Sequence, residues 1–256
     1  SELLPKAAQD LDKGHGTVWV GDNRDGWHGG AHLLRWVRNA REASQARLFL
    51  SEHSDTVRIM PFLEGIPCSI HGWVLPTQTI ALRPCEMLVL RIPGSSRLSY
   101  AGAATSWQPA EPIYNQMRQT ATLVGEHLRA TVGYRGSFTV DGIATRDGFL
   151  PTELNPRFGG ALSRMARRLT EVPLYLLHLI SAEGIDFEYH PLELQDLIIE
   201  TAQSNPVVRA LQTLPGLFDI EPRSEDVSLN DDGTWRLRPE GAPRGGTLSI
   251  GPSAAG

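Results

Sequence analysis

The sequence predicts an α+β fold, because helix patterns and strand patterns both recur along its 256 residues. The strongest helix signal covers 112–130, where apolar residues recur at helical spacing and Gly133 follows as a C-terminal glycine. The strongest strand signal comes directly afterwards, where two alternating runs, 134–140 and 149–155, flank the turn residues 146–148. A chain of this length can bury a sizeable core, either as one large domain or as two lobes.

Composition excludes several classes of protein. Charged residues make up 21% of the chain and hydrophobic residues 41%, which is ordinary for a globular domain. The net charge of −5 gives no electrostatic reason to bind nucleic acid or an anionic membrane, and no apolar run is long enough to span a bilayer. The two cysteines, Cys68 and Cys85, form no disulfide framework, so a cytoplasmic protein is predicted. Because no initiator Met is present, we expect a part of a longer protein.

The N-terminal part predicts two short strands joined by a glycine-rich loop. The strands cover 17–20 and 32–37, and the loop between them contains Gly26, Gly29 and Gly30. The backbone N–H groups of such a loop can close over phosphates, and a plain hairpin turn is the alternative interpretation.

A helix and three strands are predicted next. The helix covers 39–52, and the strands cover 57–63, 68–75 and 79–91. Pro84 interrupts the last strand and lacks a backbone N–H, which predicts an edge position or a β-bulge there.

Arg83 and Glu86 lie at this break, and two interpretations are open for them. They face a ligand cleft, or they form a surface ion pair. The following segment, 93–106, is rich in Ser and Gly and is predicted to be a loop.

The C-terminal part predicts mainly helices and then a hairpin. Residues 162–183 have a helical pattern that Pro173 breaks or kinks, and 192–202 form another helix. A hairpin is predicted over 227–238, around the turn residues 231–233.

Three oxygen-bearing side chains are predicted to converge at the central hairpin. Glu153 and Asn155 are two residues apart in a strand and therefore share a face. A three-residue loop at 146–148 would set Asp141, which is predicted to end its own strand, opposite Glu153. Carboxylates this close repel unless a cation joins them, and hard oxygen ligands suit Mg²⁺. Arg157 lies just beyond, where a guanidinium can bind phosphate. The alternative is a surface hairpin with solvated acids.

The run Glu153-Leu154-Asn155-Pro156-Arg157, with Asp141 upstream and Gly159-Gly160 downstream, resembles the metal-binding end of the ATP-grasp superfamily. The resemblance covers roughly residues 15–185. It implies an ATP-grasp fold of two lobes with ATP between them. It also implies Mg²⁺ on Asp141, Glu153 and Asn155, with Arg157 on the terminal phosphate or the transferred phosphoryl group.

The resemblance further implies how the rest of the nucleotide is held. The chain crosses between the lobes at Met60 to Leu63, and the backbone there, with Phe62, meets the adenine edge. Met60-Pro61 replaces the family's hinge acid, so Glu64 either binds the ribose from a shifted position or caps a turn.

The family also has a lysine before its glycine-rich flap that reaches the phosphates. By spacing, this position falls near Gly21, and no lysine is present there. Arg24 and Lys13 are the candidates to replace it.

The activity that the resemblance implies is an ATP-dependent carboxylate–amine ligase acting through an acyl phosphate. Arg157 and Arg83 would be the catalytic arginines, and the substrates would be a small carboxylic acid and an amine such as an amino acid or peptide. The lobes would be 1–62 and 63–205, followed by a β-rich extension, 206–256. A small-molecule kinase on the same fold and a non-catalytic nucleotide-binding module are the alternatives.

Overall fold

The structure is a computed structural model that describes residues 5–21, 31–91, 94–167, 169, 172–185, 188–210, 221–230, 235–241 and 245–250. The chain forms two compact units, Ser1–Ala210 and Leu211–Gly256. The predicted phosphate-binding loop with Gly26, Gly29 and Gly30 lies outside the described residues, as does Arg24.

The first unit is built from alternating groups of strands and helices. Its described helices are α1 Lys6–Leu11, α2 Ala40–His53, α3 Glu111–Val132, α4 Gly160–Ala166, α5 Leu174–Ala182 and α6 Pro191–Ser204. Its described strands are β1 Thr17–Gly21, β2 Leu34–Val37, β3 Val57–Pro61, β4 Ile66–Val74, β5 Thr79–Arg91, β6 Leu98–Ala104, β7 Gly136–Thr145, β8 Gly148–Asn155 and β9 Val208–Ala210. The α+β class predicted from the sequence is confirmed.

A small antiparallel sheet comes first, with strand order β2-β1-β3. Helix α2 covers one of its faces, where Trp19 and Val37 from the strands pack against Leu50 and Ala46 from the helix. Asn39 caps this helix by accepting a hydrogen bond from the Glu42 backbone N–H at 2.9 Å. The opposite face of the sheet carries no helix of its own among the described elements, which leaves it available to the rest of the unit.

The large sheet has six antiparallel strands in the order β8-β7-β4-β5-β6-β9. Helix α3 packs on one face, where Met117 lies in a core with Ile70 and Phe138. Helices α4, α5 and α6 pack on the other face, around a core that includes Trp73 and Leu174. Both faces of the middle strands are therefore buried, and β4 is apolar or small at most positions for this reason.

Helix α3 confirms the amphipathic pattern predicted for 112–130. Pro112 lies in its first turn, where its missing N–H costs no hydrogen bond. Gly133 ends the helix in the left-handed conformation, with φ 62°, and its N–H donates to Leu128 O. The break predicted at Pro173 is also confirmed, because α4 and α5 are separate helices.

Of the edge position and the bulge that were the two alternatives predicted for Pro84, strand β5 has the bulge. The register between β4 and β5 shifts between Ile70 and Gly72, next to Pro84, although β5 is an interior strand of the sheet. The loop predicted over 93–106 is wrong over half of its length, because Leu98–Ala104 form β6 between β5 and β9. Its small residues misled the prediction, and they are small because Ala103 packs against Cys85 and the first turn of α4.

The central hairpin differs from its prediction in two details. Strand β7 continues to Thr145, so Asp141 lies inside the strand rather than at its end. The loop contains two residues instead of three, because Thr145 pairs directly with Gly148. Gly148 has φ 135°, a conformation that favours glycine at this tight turn.

The second unit contains a three-stranded antiparallel sheet with order β11-β10-β12. Its strands are β10 Arg223–Leu229, β11 Trp235–Leu237 and β12 Gly246–Ile250. The predicted hairpin over 227–238 is confirmed by the pairing of Val227 with Leu237, and its turn, 231–233, lies outside the described residues. Among the described residues, none of the helices has the length and apolarity needed to cross a membrane.

Candidate metal and nucleotide site

Asp141 and Glu153 face each other across the β7–β8 hairpin. They are direct partners in the antiparallel register, as are Thr139 and Asn155 two residues further along. Directly opposed residues share one face of a sheet, with Cβ atoms about 5 Å apart. Asp141, Glu153 and Asn155 therefore point the same way, as the sequence predicted.

A β-bulge produces this pairing. Gly142 pairs with Pro151, and Asp141 pairs with Glu153, so Thr152 is an extra residue on β8. The hydroxyl of Thr152 donates to the backbone carbonyl of Asp141 at 3.3 Å. The turn is one residue shorter than predicted, and the bulge adds one residue to β8. The two differences cancel, so Asp141 still pairs with Glu153 as predicted.

Asp141 is held in place by two hydrogen bonds. Its Oδ1 accepts a hydrogen bond of 2.5 Å from Ser69 Oγ, and its Oδ2 accepts one of 3.0 Å from Asn155 Nδ2. Burial raises the pKa of Asp141 above its ordinary value, and the charge of Glu153 raises it further. The hydrogen bond from Ser69, the charge of Arg157 and the hydrogen bond from Asn155 lower the pKa without reversing the shift.

Arg157 completes the cluster. Its Nη2 donates to Asn155 Oδ1 at 3.4 Å, and its backbone N–H donates to Asn155 O at 2.8 Å. The structure thus brings together all four residues of the central motif. Among the described residues, no group of three or more His, Cys, Asp and Glu side chains is placed to hold a metal ion.

Sequence reasoning missed the residues that support Asp141 from β4. Ser69 donates to the acid, and two positions along the strand His71 Nδ1 lies 2.9 Å from Thr139 Oγ1. His71 is 1% exposed, and burial lowers its pKa to about 4, so the ring is neutral at physiological pH. The signal was present in the sequence, because Ser69 and His71 are alternate polar residues in an otherwise apolar strand.

Gly159 brings helix α4 close to this support. A Cβ at Gly159 would lie 2.5 Å from Thr139 Oγ1 and 3.3 Å from His71 Cε1, so no other residue fits without movement. The next glycine, Gly160, has open space around it. Packing therefore requires a glycine at position 159 but not at position 160.

The predicted hinge residues lie where the chain passes from β3 of the small sheet to β4 of the large one. Phe62 stacks on Trp36, with ring centroids 4.3 Å apart, and its backbone N–H donates to Gly16 O at 3.0 Å. Glu64 Oε2 lies 3.1 Å from His15 Nε2, and both side chains are largely exposed. Met60 lies in β3 directly opposite Val18 of β1.

Arg83 is not part of the acid cluster. It is 5% exposed, and its Nε donates to Thr105 O at 2.8 Å. Burial lowers its pKa. It lines a separate cavity of about 360 Å³, whose other residues are Pro84, Trp107, Gln108, Pro109, Tyr114 and Gln203. The structure thus gives Arg83 surroundings different from those of Arg157.

Of the candidates to replace the missing lysine, only Lys13 is described. It is exposed in the turn between α1 and β1, where Asp12 Oδ1 accepts hydrogen bonds from the Gly14 and Gly16 backbone N–H groups at 2.7 and 2.8 Å.

Solved structures with a similar fold are known. The biotin carboxylase domain of Hydrogenobacter thermophilus 2-oxoglutarate carboxylase, in complex with MgADP, ADP and bicarbonate, matches with a TM-score of 0.55 and 17% identity over 73% of this chain and 40% of that one. N5-carboxyaminoimidazole synthetase from Staphylococcus aureus, complexed with ADP, matches with a TM-score of 0.52 and 16% identity over 72% of this chain and 44% of that one. Biotin carboxylase from Campylobacter jejuni, in a nucleotide complex, matches with a TM-score of 0.50 and 14% identity over 68% of this chain and 38% of that one.

These matches show that the chain has the ATP-grasp fold, as the sequence resemblance implied. The chain spans 38% to 44% of the length of these three structures. No protein-family model and no curated protein matches the sequence.

Proposed function

We propose that this chain is the ATP-grasp part of an ATP-dependent carboxylate–amine ligase that acts through an acyl phosphate. The observation that carries the proposal is the convergence of Asp141, Glu153, Asn155 and Arg157 on one face of the β7–β8 hairpin. Two acids, an amide and a guanidinium in that arrangement suit a metal-bound phosphoryl group. The matched structures are complexes with ADP, MgADP and bicarbonate, which supports a nucleotide and a small carboxylate as ligands.

The nucleotide would lie between a small lobe, 1–62, and a larger lobe, 63–205, with the hinge against its adenine. Met60, Phe62 and Leu63 supply apolar and aromatic surface there. The Phe62 N–H is already bonded to Gly16, whereas Leu63 N–H donates to no partner among the described residues, so we assign the adenine edge to Leu63. Glu64, opposite His15, is placed for the ribose.

The acid cluster fits a magnesium ion. Ser69 donates a hydrogen bond to Asp141, but the negative charge of this carboxylate is only partly compensated, since burial and the nearby Glu153 keep its pKa raised. Asn155 carries an amide oxygen as well as the Nδ2 that now contacts Asp141, so it can join the two carboxylates as a third oxygen ligand. When bound, Mg²⁺ would supply positive charge to the phosphate oxygens of ATP. Asp141, Glu153 and Asn155 would hold it.

Catalysis of this reaction requires mainly that the substrates are correctly positioned and that the negative charge of the phosphoryl group is stabilised. A carboxylate oxygen of the substrate attacks the γ-phosphorus of ATP, and the bond to ADP breaks. An amine nitrogen then attacks the acyl carbon, phosphate leaves, and the amine loses a proton. Arg157 would stabilise the transferred phosphoryl group. For Arg83, which contacts neither acid, we propose a role in binding the acid substrate at the cavity it lines with Trp107.

The substrates that we propose are a small carboxylic acid and an amine, such as amino acids or short peptides. The buried free thiols of Cys68 and Cys85 support the cytoplasmic location that we also propose.

Hydroxylamine trapping tests the ligase proposal without knowledge of the amine. An acyl phosphate is electrophilic, so hydroxylamine should convert it to a hydroxamate when carboxylic acids and Mg·ATP are supplied to the full-length protein. Asp141→Asn and Arg157→Ala should both abolish hydroxamate formation. Arg146→Ala is the matched control, because Arg146 is exposed at the hairpin turn and should keep full activity.

Two other outcomes are informative. A phosphorylated product that resists hydroxylamine would contradict the ligase and favour a kinase.

A non-catalytic nucleotide-binding module is the other alternative. Two observations favour it: Met60-Pro61 stands where the family has its hinge acid, and Gly21 stands where the family has its lysine. Failure to bind Mg·ATP at all would reject both enzymes.

A further inference from the structure

Gly21, the last residue of strand β1, has no room for a side chain. A Cβ at Gly21 would lie 2.8 Å from Ser54 Cβ and 3.0 Å from its Oγ. Ser54 cannot move aside easily, because it ends α2 with an N–H bond of 2.8 Å to Leu50 O and donates its hydroxyl to Thr56 O at 2.6 Å. A lysine at position 21 is therefore incompatible with this packing, and a phosphate-binding cation of the small lobe must come from elsewhere.

The register of the small sheet identifies which residues lie on its uncovered face. Trp19 is 3% exposed and packs under α2, so its neighbours Val18 and Val20 point the other way. Val20 is the direct partner of Leu34 on β2 and of Arg58 on β3. Because direct partners share a face, Arg58 lies on the face away from α2.

This face meets the large lobe. Trp36, the partner of Val18, belongs to it, and the Trp36 backbone N–H donates to Ser96 O at 2.8 Å. The guanidinium carbon of Arg91, at the end of β5, lies 5.4 Å from the centroid of the Trp36 ring. Both Ser96 and Arg91 belong to the large lobe. The Ser96 bond lies at the edge of the small sheet, whereas Arg91 contacts a side chain on the face itself, so the face of Val18, Trp36 and Arg58 borders the cleft between the lobes.

Arg58 is the one cation that the described strands of the small sheet place on this face. The other residues there are apolar: Val18, Val20, Leu34, Trp36 and Met60. The remaining strand arginine, Arg35, is the direct partner of Trp19 on the α2 face. Its guanidinium carbon lies 3.7 Å from the centroid of the Phe49 ring, and burial lowers its pKa.

We propose that Arg58 binds the phosphate chain of the nucleotide. The inference rests on the proposed function, since it assumes a nucleotide in the cleft. Arg58 precedes the hinge residue Met60 by two positions, about 7 Å along a strand. One strand would thus supply both the hinge and a phosphate contact. The planar fork of a guanidinium can donate two parallel hydrogen bonds to phosphate oxygens, a geometry that the ammonium of a lysine does not offer.

Nucleotide binding by a set of variants tests this proposal. The dissociation constants of ATP, ADP and AMP, each with magnesium, are measured by calorimetry for wild-type protein, Arg58→Gln, Arg58→Lys and Arg47→Gln. Arg47 is the matched control, because it lies on α2 beside Leu50, beyond the opposite face of the same sheet. Melting temperatures without ligand check that each variant is folded.

Arg58→Gln should weaken ATP about tenfold or more, the effect of losing one charged hydrogen bond, and AMP by less than about twofold. Arg58→Lys should restore part of the ATP affinity, and Arg47→Gln should change neither ligand. Equal losses for ATP and AMP, or an equal loss in Arg47→Gln, would overturn the inference while leaving the proposed function intact. Wild-type protein that binds no Mg·ATP would overturn both.

Discussion

Asp141 pairs directly with Glu153 although only Arg146 and Asp147 separate their strands. A two-residue turn alone would oppose Asp141 to Thr152, whose side chain is neutral. The bulge at Thr152 shifts the register by one residue and thereby brings two carboxylates to one point. The electrostatics of the site therefore depend on a backbone irregularity.

The pKa of Asp141 should move in opposite directions in two variants. Glu153→Gln removes a charge that raises this pKa and should lower it. Ser69→Ala removes a hydrogen bond that lowers the pKa and should raise it. NMR titration of the side-chain carboxyl carbon measures both shifts. Asp147→Asn, in the exposed turn, is the control, and a pKa that stays unchanged in both variants would contradict this description of the site.

Buried His71 should make the protein sensitive to acid. Its pKa is about 4 in the folded state and near 6.5 when unfolded, so only the unfolded state binds the proton between these values. The stability contribution is complete above pH 6.5 and is lost as the pH falls toward 4, with a total on the order of 3 kcal/mol.

Urea denaturation between pH 7 and pH 4 measures this effect. His71→Gln should flatten the pH dependence of the free energy of unfolding, whereas His127→Gln, on the exposed side of α3, should leave it steep. The free energy of unfolding of His71→Gln should still depend weakly on pH, because burial also lowers the pKa of His178. An unchanged slope in His71→Gln would show that the ring is not buried in its neutral form.

The adjacent glycines at the start of α4 should respond differently to the same substitution. Gly159→Ala places a methyl group against Thr139 Oγ1 and should lower the free energy of unfolding by about 1–3 kcal/mol. Gly160→Ala meets open space and should leave stability unchanged or raise it by up to about 1 kcal/mol. Chemical denaturation measures both values.

A double mutant identifies the cause of the loss at Gly159. The cost of Gly159→Ala should be smaller in a Thr139→Ala background, because the contacting hydroxyl is then absent. Similar losses for the two glycines, or no coupling with Thr139, would contradict the packing described here.

Much of this fold could be predicted because local patterns determined it. The amphipathic stripe of α3, its C-terminal glycine and the alternation of the central hairpin are all consequences of short-range sequence. The acid pair was predicted correctly from an incorrect loop length, since the bulge at Thr152 compensated for it. A bulge depends on both strands and on the tertiary environment, so it leaves little trace in one strand's sequence.

Other features could not be predicted because they depend on distant partners. Strand β6 is rich in small residues, and its strand character comes from pairing with β5 and β9 and from packing of Ala103 against α4. The position of Arg58 on the face of the small sheet away from α2 follows only from the register of β1 with β3. Likewise, nothing in the sequence around Gly21 shows that Ser54 closes the space beside it.

The central claim is that Asp141, Glu153 and Asn155 hold the magnesium of a bound nucleotide, and thermal denaturation with ATP tests it most directly. ATP at about 100 times its dissociation constant should stabilise the wild-type protein by about 2.7 kcal/mol when magnesium is present, and much less in EDTA. Glu153→Gln, folded normally without ligand, should lose the magnesium-dependent part of the shift. An equal shift with magnesium and with EDTA, or a full magnesium-dependent shift in Glu153→Gln, would contradict the claim.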